Sequence, residues 1–184
     1  IADWQQLLGR DDALWILAAM GLAAGVLTGF IVVAFRLLFE TPLDYLMPLG
    51  NGESFEDLPK WMHFALPAGG GLLLGIGLSL CNKANTFTGV AHVVHGANNL
   101  HGRLPWQNVV VQFFAGAIAL GSGQSLGREG PSVHLGAGIS SIVGQRLGLP
   151  NNSLRVLIGC GTAAGIAASF NTPIAGIIFA MEVV

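Results

Sequence analysis

Four long runs of the chain contain no Asp, Glu, Lys or Arg. They cover residues 13–35, 61–82, 104–127 and 156–181, and each is at least 22 residues long. A helix needs about 20 apolar residues to cross the roughly 30 Å hydrocarbon core of a bilayer. Each run is therefore predicted to form a membrane-spanning helix. The pattern indicates an all-α, polytopic membrane protein.

Polar segments separate these runs. Residues 41–60 contain three prolines and several acidic residues and are predicted as a loop outside the membrane. Residues 83–103 are predicted as a connector or a short partial helix, and residues 145–155 as a segment that faces water. Residues 1–12 are predicted as a lead-in segment, because acidic residues stand where a signal peptide has a basic region.

Composition supports the membrane assignment and excludes other classes. Only 10% of the 184 residues are charged, whereas a soluble domain has roughly 25%. The net charge is −2, and the sequence contains no cluster of basic residues. No nucleic-acid partner is therefore expected. Cys81 and Cys160 lie far apart and form no metal-binding or disulfide pattern.

Glycines recur at a spacing of four residues. Such spacing creates a groove along a helix in which another helix backbone approaches closely. These residues are therefore predicted to pack helices: Gly21, Gly25 and Gly29, Gly71 and Gly75, Gly123 and Gly127, Gly161 and Gly165.

The third apolar region contains an exception to its lack of charge. Between residues 104 and 145 the only Asp, Glu, Lys or Arg residues are Arg128 and Glu129. Charges at such a depth are costly and are typical of functional sites. Residues 132–143, which follow them, are too short to span a bilayer alone. The pattern predicts two incomplete helices that meet inside the protein.

This junction has the chemistry of an anion site. Gly127 and Gly130 permit close backbone approach, and Pro131 suits the first position of a helix. The free N–H groups and positive dipole end of a helix that begins there attract anions. Ionised Glu129 would compete with a permeant anion for the pocket, and protonation would end that competition. Arg128 is expected to supply a positive field at the mouth.

Several segments of the sequence carry a family resemblance. They are Gly127-Arg128-Glu129-Gly130-Pro131, the upstream Phe113-Phe114-Ala115-Gly116, and the Ala/Gly-rich residues 161–176 with their Phe-Asn-Thr-Pro turn. Together they resemble the CLC family of voltage-gated-type chloride channels and chloride/proton antiporters. The likeness is strong over residues 104–182 and weaker over residues 13–103.

The resemblance implies a fold of tilted and broken helices in two inverted halves, usually a homodimer with one anion pathway per subunit. Residues 13–184 would be the transmembrane N-terminal half, with the second half absent. A multi-pass protein of the bacterial inner (plasma) membrane is expected. It would carry chloride or a similar anion, be no enzyme and need no cofactor.

The resemblance also implies roles for individual residues. Glu129 would be the external gating glutamate. Counting back from Phe113 without gaps places Thr88 where the family has an anion-binding serine, although the surrounding motif is absent. The implied anion-binding residues are Thr88, Gly127, Arg128, Gly130, Pro131 and Ser132.

Proton coupling depends on a second acidic position. Antiporters of this family usually have an internal proton glutamate as the latter of two adjacent acids, and the corresponding pair here is Glu182-Val183. The valine resembles the pattern of channel members, although Glu182 could take the role. Channel and proton-coupled antiporter therefore both stay open.

Three other interpretations of the sequence are possible. The protein could be an anion transporter of another family, or a non-conducting half. An intramembrane hydrolase would use Ser122 as nucleophile, with Ser125 and His134 nearby in sequence, but no third group orients a base.

A metal site is also disfavoured. His92, His95 and His101 lie close in sequence, but no acid or cysteine accompanies them between residues 83 and 103. His134 is expected to pack within an apolar helix with a hydrogen bond.

Overall fold

The protein folds into helices throughout the part of the chain that can be described. The computed structural model describes residues 13–46, 59–81 and 86–184, and within these ranges it contains seven α-helices and no strand. The all-α prediction is therefore confirmed, while the predicted lead-in over residues 1–12 lies outside the described residues. The helices are α1 (Ala13–Leu46), α2 (Met62–Leu80), α3 (Gly89–Asn99), α4 (Trp106–Gly121), α5 (Glu129–Arg146), α6 (Asn151–Phe170) and α7 (Pro173–Val183).

Within the described ranges, three helices are long and apolar enough to cross a membrane. The qualifying segments are Leu14–Thr41, Met62–Leu80 and Asn151–Phe170. The prediction that residues 104–127 form a membrane-spanning helix is wrong, because the helix in this run, α4, has only 16 residues. The run over residues 156–181 is also not one helix, since the chain breaks between α6 and α7.

The break between α6 and α7 has a local cause. Asn171 adopts the left-handed conformation with φ 54° and ψ 33°, which ends α6. Asparagine tolerates this region better than most residues because its short polar side chain hydrogen-bonds locally. Pro173 then begins α7, where its missing N–H costs nothing.

Helix α1 is longer than the sequence predicts. The predicted loop over residues 41–60 is wrong for its first six residues, because α1 continues through Pro42 to Leu46. A proline inside a helix leaves the carbonyl four residues earlier without its usual N–H donor, but the hydrogen bonds on either side can still continue the helix. Residues 47–58 of that loop lie outside the described residues.

Helix α5 forms the centre of the molecule. It contacts α6 most extensively and also packs against α1, α3 and α4. Every residue from Pro131 to Ser141 is buried. The predicted short stretch over residues 132–143 is therefore too short, since α5 has 18 residues and continues to Arg146. Gln145 in its last turn donates from Nε2 to the Leu104 carbonyl oxygen at 3.1 Å.

Glycine allows α5 and α6 to approach closely. A Cβ atom added at Gly161 would overlap the Gly136 carbonyl oxygen and Ser140 Oγ, and one at Gly165 would overlap the Ser132 carbonyl oxygen. The backbones are therefore in direct contact at both positions. The packing role predicted for Gly161 and Gly165 is confirmed.

The glycines of α1 also face α6. A Cβ at Gly21 would lie 3.2 Å from Cys160 Sγ, and one at Gly25 would lie 3.6 Å from Ala164 Cβ. The packing prediction is wrong for other positions, either because nothing lies within 4 Å or because the residue belongs to the α4–α5 connection. These positions are Gly29, Gly75, Gly123 and Gly127.

Candidate anion site

A cavity of about 450 Å³ lies where the first turns of α3 and α5 face helices α2 and α4. Among the described residues that line it, three have polar side chains, namely Thr88, Gln112 and Glu129. The others are glycine or apolar: Leu74, Leu78, Gly89, Ala115, Gly116, Ala119, Leu120, Leu126, Gly127, Gly130 and Pro131. The start of each of two helices thus contributes to one cavity.

The N-terminus of α5 lies at this cavity, as the sequence predicts. The helix begins at Glu129, one residue before the predicted start, so Pro131 occupies its third position and not its first. The N–H and Oγ of Ser132 both donate to the Arg128 carbonyl oxygen, at 3.1 and 2.7 Å. Proline has no N–H, so Arg128, Glu129 and Gly130 carry the N–H groups that helix geometry leaves without an intrahelical acceptor.

The N-terminus of α3 meets the same cavity. Thr88 is its N-cap residue in an extended conformation, and its side chain makes no capping hydrogen bond. The N–H of Gly89 donates to Gln112 Oε1 at 2.9 Å. Asn108, one turn before Gln112, donates from Nδ2 to the Phe87 carbonyl oxygen at 2.8 Å. Two side chains of α4 therefore hold the segment that leads into α3.

Glu129 is the one charged side chain among the described residues of the cavity lining. It is exposed, and its carboxylate lies beside the Cα atom of Gly127. A Cβ at Gly127 would overlap that carboxylate, so a glycine is required for this placement. The two helix ends each carry roughly half a positive charge. The carboxylate is thus positioned in a field that favours anions.

Three residues predicted for the site lie elsewhere. The Arg128 guanidinium carbon lies 5.3 Å from the centre of the Phe170 ring, a cation–π contact, and Arg128 does not line the cavity. Ser132 is fully buried within α5. Glu182 is exposed in the last turn of α7. The structure therefore brings together Thr88, Gly127, Glu129, Gly130 and Pro131.

Sequence reasoning missed Gln112. It lies within an apolar helix, and its contact with Gly89 joins residues 23 positions apart. A weak signal was present, because Asn108 and Gln112 stand four residues apart and therefore share one face of α4.

The histidines form a pair that the sequence did not predict. His92 Nδ1 and His134 Nε2 lie 2.9 Å apart, and the rings are stacked with centres 5.2 Å apart. His95 instead contacts Asn99, and His101 is exposed. Within the described ranges no three His, Cys, Asp or Glu residues are placed to hold a metal ion.

The groups proposed for a hydrolase are bonded to other partners. Ser122 Oγ donates to the Ala119 carbonyl oxygen at 3.1 Å, while His134 pairs with His92. The structure therefore does not place Ser122 and His134 as a nucleophile and its base.

Comparison with known families decides which group of proteins the chain belongs to. The family model described as "Voltage gated chloride channel" matches residues 69–184. The chain belongs to this family, the CLC family. The match includes the whole of the candidate anion site, from Thr88 to Pro131. It excludes the alternative of an anion transporter from another family.

Individual CLC relatives agree with this assignment. The chain is 32% identical over 175 residues to the "H(+)/Cl(-) exchange transporter ClcA" of Vibrio campbellii. The aligned region covers 93% of this chain and 36% of that protein. It is 31% identical over 185 residues to the protein of the same name from Vibrio cholerae. That alignment covers 96% of this chain and 38% of the relative. These relatives are transporters and not enzymes, as expected.

A solved CLC structure confirms the fold. The crystal structure of a CLC-type fluoride/proton antiporter matches with a TM-score of 0.70 and 25% identity, over 94% of this chain and 41% of that one. The chain thus spans a little over a third of the length of the curated relatives and about two fifths of that antiporter.

Proposed function

We propose that the protein moves chloride or a similar small anion across a membrane, through a site at the α3 and α5 N-termini. The observation that carries this proposal is that Thr88 and Glu129, at the starts of two separate helices, line one cavity. Membership of the CLC family supports it, as do the ion-exchange names of the relatives.

Neutral donors are proposed to bind the anion. The N–H groups of Glu129 and Gly130 stand at the positive end of α5, and the Thr88 hydroxyl makes no capping bond that would occupy it. No Lys or Arg side chain is among the described residues of the lining. Arg128 contributes a positive potential from beside the cavity and is not proposed as a direct ligand.

Glu129 is proposed as the gate and the proton carrier of the pathway. Its ionised carboxylate is an anion within the cavity and competes with chloride for the same positive field. Protonation removes the charge, so the side chain loses its preference for the site and the anion enters. Its exposure is consistent with such movement, because few contacts hold it in place.

Chloride efflux from liposomes that hold the full-length protein tests this mechanism. The wild type is expected to show pH-dependent efflux, and Glu129→Gln is expected to lose that dependence because the amide does not ionise. Glu40→Gln is the matched control, since it makes the same change at an acid of α1 that does not line the cavity and should keep the pH dependence of efflux. An unchanged pH dependence in Glu129→Gln would refute the gating role.

Simultaneous measurement of proton flux tests the coupling. An exchanger moves protons against chloride, and Glu129→Gln should then abolish proton flux while chloride still moves. Loss of proton flux in Glu182→Gln with normal chloride efflux would assign the internal proton role to Glu182. Absence of proton flux in the wild type would support a channel, in agreement with Val183.

Three broader features belong to the same proposal. Residues 13–184 are proposed as the first of two halves, supported by the share of each relative that the chain spans. The complete protein is proposed to form a homodimer in the bacterial inner membrane. The three long apolar helices support residence in a lipid bilayer.

A further inference from the structure

Gln112 is placed at the candidate anion site in an unusual way. Its side chain is largely buried, with only 7% exposed, and it lines the cavity with Thr88 and Glu129. Its Oε1 accepts the N–H of Gly89, the first residue of α3. A helix leaves that N–H without an intrahelical acceptor. The amide oxygen therefore stands where an anion would accept a hydrogen bond from α3.

The same contact fixes the orientation of the amide group. Only the oxygen can accept from a backbone N–H, so Oε1 faces Gly89 and Nε2 lies on the other side. Nε2 lies close to Gly116, where an added Cβ would be 3.2 Å from Nε2 and also 3.2 Å from the ring of Phe35 on α1. Gly116 also lines the cavity. Within the described residues no protein acceptor is bonded to Nε2.

We propose that Gln112 is a specificity-determining residue that donates from Nε2 to the transported anion. This inference rests on the proposed function, since it adds a side-chain ligand to that site. Nε2 supplies a neutral N–H donor at the wall of the cavity, and Oε1 keeps the start of α3 beside it. A localised donor favours small anions that accept hydrogen bonds strongly over large, weakly hydrated ones such as thiocyanate.

Two substitutions separate this role from a purely structural one. Gln112→Glu keeps an oxygen for Gly89 and nearly the same shape, but it removes the donors and adds a negative charge. Gln112→Leu removes both the donors and the acceptor. Gln107→Glu is the control, because it makes the same charge change on α4 at a residue that does not line the cavity.

Chloride binding to the full-length protein in detergent, measured by calorimetry, gives the decisive comparison. Gln112→Glu is expected to weaken chloride binding at least about tenfold, the effect of one hydrogen bond to an ion, while circular dichroism shows that the variant remains folded. Gln107→Glu is expected to keep the wild-type Kd. In liposomes, Gln112→Leu should lower the ratio of chloride to thiocyanate flux.

The outcomes distinguish this inference from the function on which it rests. If Gln112→Glu binds chloride like the wild type, Gln112 only positions Gly89 and the inference is overturned. If the wild type itself binds and transports no chloride, the proposed function fails first, and that result is visible without any variant.

Discussion

The contact between α5 and α6 implies that replacing glycine by alanine has opposite effects on stability at two positions of one helix. Gly159 and Gly161 both lie in α6, two residues apart. A Cβ added at Gly159 would meet no atom within 4 Å, whereas one at Gly161 would overlap the Gly136 carbonyl oxygen. Gly159→Ala is therefore expected to stabilise the protein, and Gly161→Ala to destabilise it.

The size of the difference follows from the geometry. Replacing glycine by alanine within a helix gains about 1 kcal/mol of helix propensity, which applies at both positions. At the reciprocal contact, a Cβ on Gly136 would lie 2.9 Å from the Gly161 carbonyl carbon, closer than the ordinary ~3.5–4.0 Å. The atoms that a Cβ at Gly161 would overlap include the Gly136 carbonyl oxygen and Ser140 Cβ, which cannot rotate away. The helices α5 and α6 must therefore separate, at the upper end of the usual overpacking cost, about 3 kcal/mol. Gly161→Ala should therefore be destabilised by about 2 kcal/mol net, and the two variants should differ by about 3 kcal/mol.

Unfolding by sodium dodecyl sulfate in mixed micelles, followed by far-ultraviolet circular dichroism, measures this difference. The midpoint should move to higher denaturant in Gly159→Ala and to lower denaturant in Gly161→Ala. Adding Ser140→Ala to the second variant removes the Ser140 Oγ overlap but leaves that with Gly136, so only partial recovery is expected. Equal shifts of the same sign in the two single variants would show that the helices are not in backbone contact at Gly161.

Two further predictions concern other parts of the fold. His92→Ala should lower the free energy of unfolding by about 1–3 kcal/mol, because it leaves buried His134 Nε2 without its partner. Adding His134→Leu should recover part of this loss. A double-mutant cycle that shows no coupling between the two positions would contradict the pairing. Asn171→Val should lower the free energy of unfolding by about 1–2 kcal/mol, because a β-branched residue resists the left-handed conformation. Asn171→Gly should be tolerated. Equal unfolding midpoints of these two variants would contradict this explanation.

The features that the sequence predicted well are those determined by residues close together in the sequence. The absence of charge over 20 or more positions is a local property, and it predicted α1 and α2 because a bilayer demands such runs. The start of α5 was predicted within one residue, since Gly130 and Pro131 favour a helix start whatever surrounds them. Family resemblance added the break at Asn171, which composition alone did not reveal.

The features that were missed depend on how the helices pack. The His92–His134 pair joins α3 to α5 across 42 positions, and nothing local indicates it. Gln112 looked like an isolated polar residue of an apolar helix until α3 was placed beside it. The resemblance implied that the backbone amides up to Ser132 help to hold the anion, but nothing local indicates that the N–H and Oγ of Ser132 both donate to the Arg128 carbonyl oxygen.

The cavity combines weak binding elements in a way that suits transport. A conducting site must bind its ion strongly enough for entry and weakly enough for release. Within the described lining, the positive potential comes from helix ends and neutral donors, and the one formal charge is the negative charge of Glu129. A lysine in place of Gln112 would add a full positive charge and would hold both the anion and the Glu129 carboxylate more tightly. Under the proposed gating by Glu129, a neutral amide at that position would therefore keep the exchange between carboxylate and anion reversible.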